Sequence, residues 1–278
     1  MAADTPLSRL VLRATSVADD VGYVAFADLA HVFGTDADYR VIGGHMVTAL
    51  VARWNLGSEL YRETGDTDLG VPPIVIQNGS LVKRLKSLGY EQVEGNRFAR
   101  RLTDIPVRIS GDEDTTRLAM IDVLVGAYTS RARTNHKVGE LYTTEVPGLP
   151  TALLRNPVTM ELELHRLNGE VLNAGLCFPD EVSALVLKGL ATEVRTKGTD
   201  VVDLWRCLEV GFAAGITPDD FEGEIPERSV NRIRSIFSLR DGVGMAALVE
   251  EQRLSVEAPD DRFTRLSALV IRVLGSSD

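Results

Sequence analysis

Strand and helix patterns alternate along this chain as far as residue 178, and beyond it mainly helical spacing remains. That order predicts an α+β fold, with a mixed-sheet core over residues 1–178 and a helical C-terminal lobe over residues 179–278. A helix is expected from Asp19 to Phe33, then a short strand Tyr39-Arg-Val-Ile42 stopped by Gly43-Gly44. After the glycines, Val47, Leu50, Val51 and Trp54 fall at i, i+3, i+4 and i+7, one face of a second helix. Asp68 to Val71 and Ile74 to Ile76 read as extended, and Ser80 to Leu88 as a helix ended by Gly89. Glu91 to Leu102 and Ile105 to Ser110 also read as extended, and Met120 to Val125 as a buried strand closed by Gly126. Glu145 to Pro150 reads as a loop. Thr159 to His165 alternates, and Asn168-Gly169 offers a hairpin turn into Val171 to Phe178. Later stripes at Val182, Leu185, Val186 and Gly189, and at Val201, Leu204, Trp205 and Leu208, mark helices.

Composition narrows the class. Of the residues, 44% are hydrophobic and 25% charged, as in ordinary globular proteins. No run approaches the ~18 uncharged apolar residues of a membrane span, and the start of the chain lacks the pattern of a signal peptide. Cys177 and Cys207, without a CxxC, suit reduced thiols in a cytoplasmic protein rather than a disulfide framework or zinc site. A net charge of −10 argues against binding nucleic acid by bulk charge. Between Lys83 and Lys137, however, eleven basic residues stand against seven acidic ones, a local excess that can meet phosphates.

Three acidic residues carry the chemistry. Asp66 and Asp68 lie two apart, so on a strand both project to one face. Asp122 sits inside an apolar strand, where a bare carboxylate costs several kcal/mol unless something offsets it. A divalent cation is the partner that three converging carboxylates call for, and Mg²⁺ (or Mn²⁺) keeps open positions for phosphate oxygens and water. Two such ions ~3.5–4 Å apart can activate a hydroxyl and stabilise departing pyrophosphate. Gly43-Gly44 lets backbone approach a triphosphate and precedes a helix whose first N–H groups attract anions. His45, beside that turn, is a further phosphate contact or a local helix-start residue.

Gly43-Gly44 followed by Arg62-Glu-Thr-Gly-Asp66-Thr-Asp68-Leu69 resembles the first signature of the AbiEii/MenT group of nucleotidyltransferase toxins, of the polymerase-β-like superfamily. Asp122 matches that family's third carboxylate. Lys188, then Arg195-Thr-Lys197-Gly-Thr-Asp200-Val-Val-Asp203-Leu204, is similar to its later pattern of a helix lysine followed by R-x-K-x-x-D-x-x-D-L. One departure is the spacing: twenty-one residues separate Gly44 from Asp66, so an enlarged helix or loop must sit between them.

The resemblance implies a polymerase-β-like core in which Asp66, Asp68 and Asp122 bind metal, and Gly43, Gly44, Lys188 and Arg195 surround an NTP, with His45 a further nucleotide-binding candidate from its place beside the turn. It implies that Lys188 contacts phosphates and that Asp203 positions Lys188 or the nucleotide. Lys188 falls on a helix face with Ala184 and Ala191, which suits a cleft wall. Arg195 and Lys197 are further candidates for phosphates or acceptor, and Thr199 for the cap of the helix carrying Asp200 and Asp203. By resemblance the reaction moves a nucleotide to RNA, with the tRNA 3′ end as acceptor and an antitoxin as partner. A small-molecule nucleotidyltransferase and a non-catalytic nucleotide- or protein-binding module are the competing readings.

Overall fold

Ser16, in an extended conformation, accepts a hydrogen bond from the Asp19 backbone at 3.2 Å and so opens helix α1 (Val17–Phe33). Asp19 and Asp20 in its first turn complement the helix dipole. The computed structural model describes residues 8–35, 38–104, 117–129, 132–194, 197–251 and 259–276. Ile105 to Ser110 and Arg195, singled out above, lie outside the described residues.

The main sheet has the order β2 (Arg40–Ile42), β3 (Asp66–Val71), β6 (Leu118–Gly126), β5 (Arg97–Arg101), β4 (Glu91–Glu94). β3 and β6 run parallel, and the other pairs along this path are antiparallel. The sheet is therefore mixed. β3 shows why its register is pinned. Asp66 and Asp68 are half-buried on one face, while Thr67, Leu69 and Val71 are fully buried on the other. A slip of one residue would put both carboxylates in the core.

A second sheet places β1 (Arg9–Arg13) parallel to β10 (Val158–His165), which pairs in hairpin fashion with β11 (Val171–Phe178). Helix α1 packs against β11, β3 and β6 and so joins the two sheets. The strands end at Phe178, and among the described residues the chain beyond it is helical: α6 (Glu181–Val194), α7 (Gly198–Ala213), α8 (Glu224–Ile236), α9 (Val243–Glu251) and α10 (Pro259–Leu274). Helix α7 packs on α6, α9, α10 and on α2 (Gly43–Arg53). Phe26, Leu50, Leu69 and Ile121 share one apolar cluster with Leu185, Leu204 and Leu208. The change of character at residue 178 is thus a change of secondary structure within continuous packing. None of the described helices is long and apolar enough to cross a membrane.

Several local expectations differ from the structure. Ile74 to Ile76 is not extended but lies in α3 (Pro73–Gln77), because Pro73 at its first position has the backbone φ a helix start requires. Glu145 to Pro150 is more than a loop: β9 (Glu145–Val146) pairs parallel with β6, and α5 (Leu149–Leu154) begins at Leu149. Glu91 to Leu102 is divided into β4 and β5, which pair with a register shift between Gln92 and Glu94. Ser80 begins α4 (Ser80–Ser87) as expected. The hairpin of β7 (His136–Val138) and β8 (Leu141–Thr143) and the strand β1 were not anticipated. The long interval between Gly44 and Asp66 holds most of α2 and a 3₁₀ turn at Ser58–Leu60.

Candidate active site

Strand pairing aligns four residues in one row across the main sheet. Ile42 on β2 pairs with Asp68 on β3, Asp68 with Asp122 on β6, and Asp122 with Arg97 on β5. Paired residues on neighbouring strands share a face, so Asp68, Asp122 and Arg97 project together, and Asp66 joins them two residues earlier on β3. These side chains line a cleft of about 540 Å³ whose other wall includes Lys188 and Ala191 of α6, Lys197, and Asp200 and Asp203 of α7.

Chain direction changes sharply where β2 enters α2. Gly43 has φ +73°, and a Cβ there would collide with the Asp68 carboxylate. Both facts require glycine. A Cβ on Gly44 would lie 2.8 Å from Thr64 Oγ1. Helix α2 has no side-chain cap and no acidic residue in its first turn, so its N-terminal end is suited to an anion at the cleft.

Asp122 is met by a guanidinium from the neighbouring strand. Arg97 donates to both its oxygens, Nε to Oδ1 at 2.8 Å and Nη2 to Oδ2 at 2.7 Å. The same Nη2 stands 3.6 Å from Asp66. Among the described residues no group of three or more His, Cys, Asp or Glu side chains is arranged to hold a metal ion. The buried charge on β6 is therefore offset by a guanidinium that the antiparallel register of β5 and β6 delivers to it. Burial raises the Asp66 carboxyl above its ordinary value; Arg97 opposes that rise, Asp122 adds to it and Lys197 opposes it.

Across the cleft, Asp203 is 1% exposed and accepts from three cations. Arg62 donates from Nε and Nη2, both at 2.9 Å, Lys188 Nζ at 2.7 Å and Arg206 Nη1 at 2.9 Å. Burial opposes its ionisation, but Lys188, Arg62 and Arg206 outweigh burial and hold the carboxyl well below the usual carboxylate range. Arg206 also donates to Thr48 of α2 at 3.0 Å, which ties α7 to the helix that follows the glycine turn. Lys188 and Asp203 thus form a pair, and Arg62 from the first motif clasps the same carboxylate.

Other expected site residues sit elsewhere. His45 turns into the core: its ring packs 4.7 Å from Phe26, its Nδ1 lies 3.1 Å from the Asp66 carbonyl, and it is not part of the cleft lining. Burial pushes its pKa down to about 4, so it is neutral near pH 7. Helix α7 is capped at Lys197 rather than Thr199, and by no side chain. Part of the basic run is taken up by internal partners. Arg84 donates to the Val32 carbonyl at 2.7 Å, Arg100 pairs with Asp28 at 2.9 Å and Arg133 with Glu145 at 2.6 Å. Arg108 and Arg131 lie outside the described residues, while Lys83 and Lys86 are exposed.

Arg97 and Arg206 were missed as site residues. The i,i+3 spacing of Asp203 and Arg206 was a readable signal, whereas Arg97 declares itself only through strand register.

No protein-family model matches the chain, and no curated protein matches it. Among solved structures, the fold is similar to that of an antigenic nucleotidyltransferase-like protein from Paracoccidioides brasiliensis. The identity is 16%, the TM-score 0.43, and the match covers 93% of this chain and 95% of the other.

Proposed function

We propose that the cleft binds a nucleoside triphosphate with a divalent cation and transfers its nucleotide to an acceptor hydroxyl, releasing pyrophosphate. The observation that carries this reading is the register match of Asp68 with Asp122, with Asp66 on the same face and Gly43 packed against Asp68. The donor set fits Mg²⁺ (or Mn²⁺), which commonly binds through one or two carboxylates and substrate phosphates rather than through a complete protein cage. Asp66 and Asp68, both partly accessible in the cleft, would hold it. When bound, the ion would supply Lewis-acid activation of the hydroxyl and neutralise charge on the leaving group.

The chain's own groups have separate tasks in this reading. The first turn of α2 receives phosphate oxygens on its N–H groups. Lys188, oriented by Asp203, offsets charge as the α–β phosphoanhydride bond breaks and its electron pair leaves with pyrophosphate. The acceptor oxygen bonds to the α-phosphorus, and its proton passes to water or a cleft carboxylate. Arg206 and Arg62 keep Asp203 ionised and Lys188 in place.

For the acceptor we infer RNA, with the tRNA 3′ end preferred, and for the biological role a toxin held by an antitoxin. Support for both comes from the motif resemblance running from Gly43 to Asp203. The test is label transfer from each radiolabelled NTP in turn, with Mg²⁺ and total tRNA. Label entering RNA supports this reading and names the nucleotide. Label entering only small molecules supports a small-molecule acceptor, and NTP binding without any transfer supports a non-catalytic module.

A further inference from the structure

Three carboxylates on one face invite two metal ions, yet Arg97 already stands among them. Its guanidinium forks onto both oxygens of Asp122 and its Nη2 reaches to 3.6 Å from Asp66. Its place is not incidental, because Arg97 and Asp122 are partners in the β5–β6 ladder and both side chains face the cleft. The Asp122 side chain is only 12% exposed, so water is a poor substitute for the guanidinium there. A planar, permanently charged fork matches a carboxylate edge on two hydrogen bonds at once. With one hydrogen bond on each oxygen of that edge, an octahedral ion with ligands at ~2.0–2.1 Å would have to approach through the remaining lone pairs, beside a fixed positive charge.

Resting on the metal-dependent reading above, we infer that Arg97 is a built-in replacement for a second metal ion, so that Asp122 is not a metal ligand and the cleft holds one divalent cation, at Asp66 and Asp68. Arg97 is then a positioning residue that orients Asp122 and supplies fixed positive charge beside the reacting phosphates. It does so without the reorganisation that recruiting a second ion demands.

The experiment is electron paramagnetic resonance of the full chain with manganese chloride and inorganic tripolyphosphate, a triphosphate probe that needs no knowledge of the preferred base. Two ions ~3.5–4 Å apart are magnetically coupled, and a lone ion is not. The expected result is bound, uncoupled Mn²⁺. Asp122→Asn should keep Mn²⁺ affinity within about threefold, while Asp68→Asn should weaken it by more than about tenfold. Asparagine keeps the shape at residue 122, and Arg97 is one-third exposed, so this variant is expected to fold. A coupled pair in the unaltered protein, or equal weakening by the two substitutions, would overturn this inference and leave the metal-dependent reading intact. Failure of the unaltered protein to retain any Mn²⁺ would overturn both.

Discussion

Replacing Asp203 with alanine removes the carboxylate that Arg62, Lys188 and Arg206 share, and leaves three cations facing one another. Arg206 is 1% exposed and the Lys188 side chain 8%, so neither can recover full hydration. Removing one partner of a buried ion pair costs ~3–5 kcal/mol, and the repulsion among the remaining cations places Asp203→Ala at the upper end. A drop in Tm on the order of 10 °C corresponds to that loss. The assay is urea unfolding followed by circular dichroism, run beside Lys188→Met and the double variant. Lys188→Met alone leaves Asp203 with two arginines, and in the double variant it removes one of the three stranded cations. The double variant should therefore be no less stable than Asp203→Ala alone. Additive losses would refute the shared-carboxylate account. The pH dependence has a definite sign. The folded pKa is lowered, so this contribution is complete above the ordinary carboxylate pKa of about 4 and is lost as pH falls below it toward the folded value.

Gly43→Ala should destabilise the protein by ~1–3 kcal/mol, since the new Cβ meets both a left-handed backbone and the Asp68 carboxylate; thermal melts check this, and an unchanged Tm would contradict it. His45, held neutral with its pKa lowered from 6.5 to about 4, should make the folded state lose stability as pH falls through that interval, because the unfolded chain takes up the proton first. His45→Asn should flatten this slope in urea midpoints measured between pH 7 and 4. Lys188→Met should lower the rate of nucleotide transfer by roughly a hundredfold or more, read from initial rates at saturating NTP.

Much of the site was legible because its signals are local. The i,i+2 aspartates, the glycines after a short strand and the lysine on a small-residue helix face all depend on one element at a time. What escaped depends on register between elements. Asp122 announced that a buried carboxylate needs a positive partner, but eleven basic residues lay in the surrounding stretch and nothing in their order singled out Arg97. Only the β5–β6 pairing does so. His45 illustrates the reverse error: adjacency to the glycine turn suggested a ligand contact, while helical geometry rotates its ring toward Phe26. Strand β1 was missed although Arg9-Leu-Val-Leu-Arg13 fits a strand, because its neighbour, β10, lies some 150 residues further along the chain. The Ile74 to Ile76 segment misled because a short apolar run looks alike in a strand and a helix, and Pro73 decides for the helix.

The most direct test of the central claim is pyrophosphate release from an NTP mixture with Mg²⁺ and total RNA, comparing the unaltered protein with Asp68→Asn. A catalytic cleft predicts release that stops on chelation with EDTA and falls by at least about a hundredfold in Asp68→Asn. Release that persists undiminished in Asp68→Asn would place the chemistry elsewhere. No release from the unaltered protein, with NTP still bound, would contradict the claim that this cleft is an enzyme's.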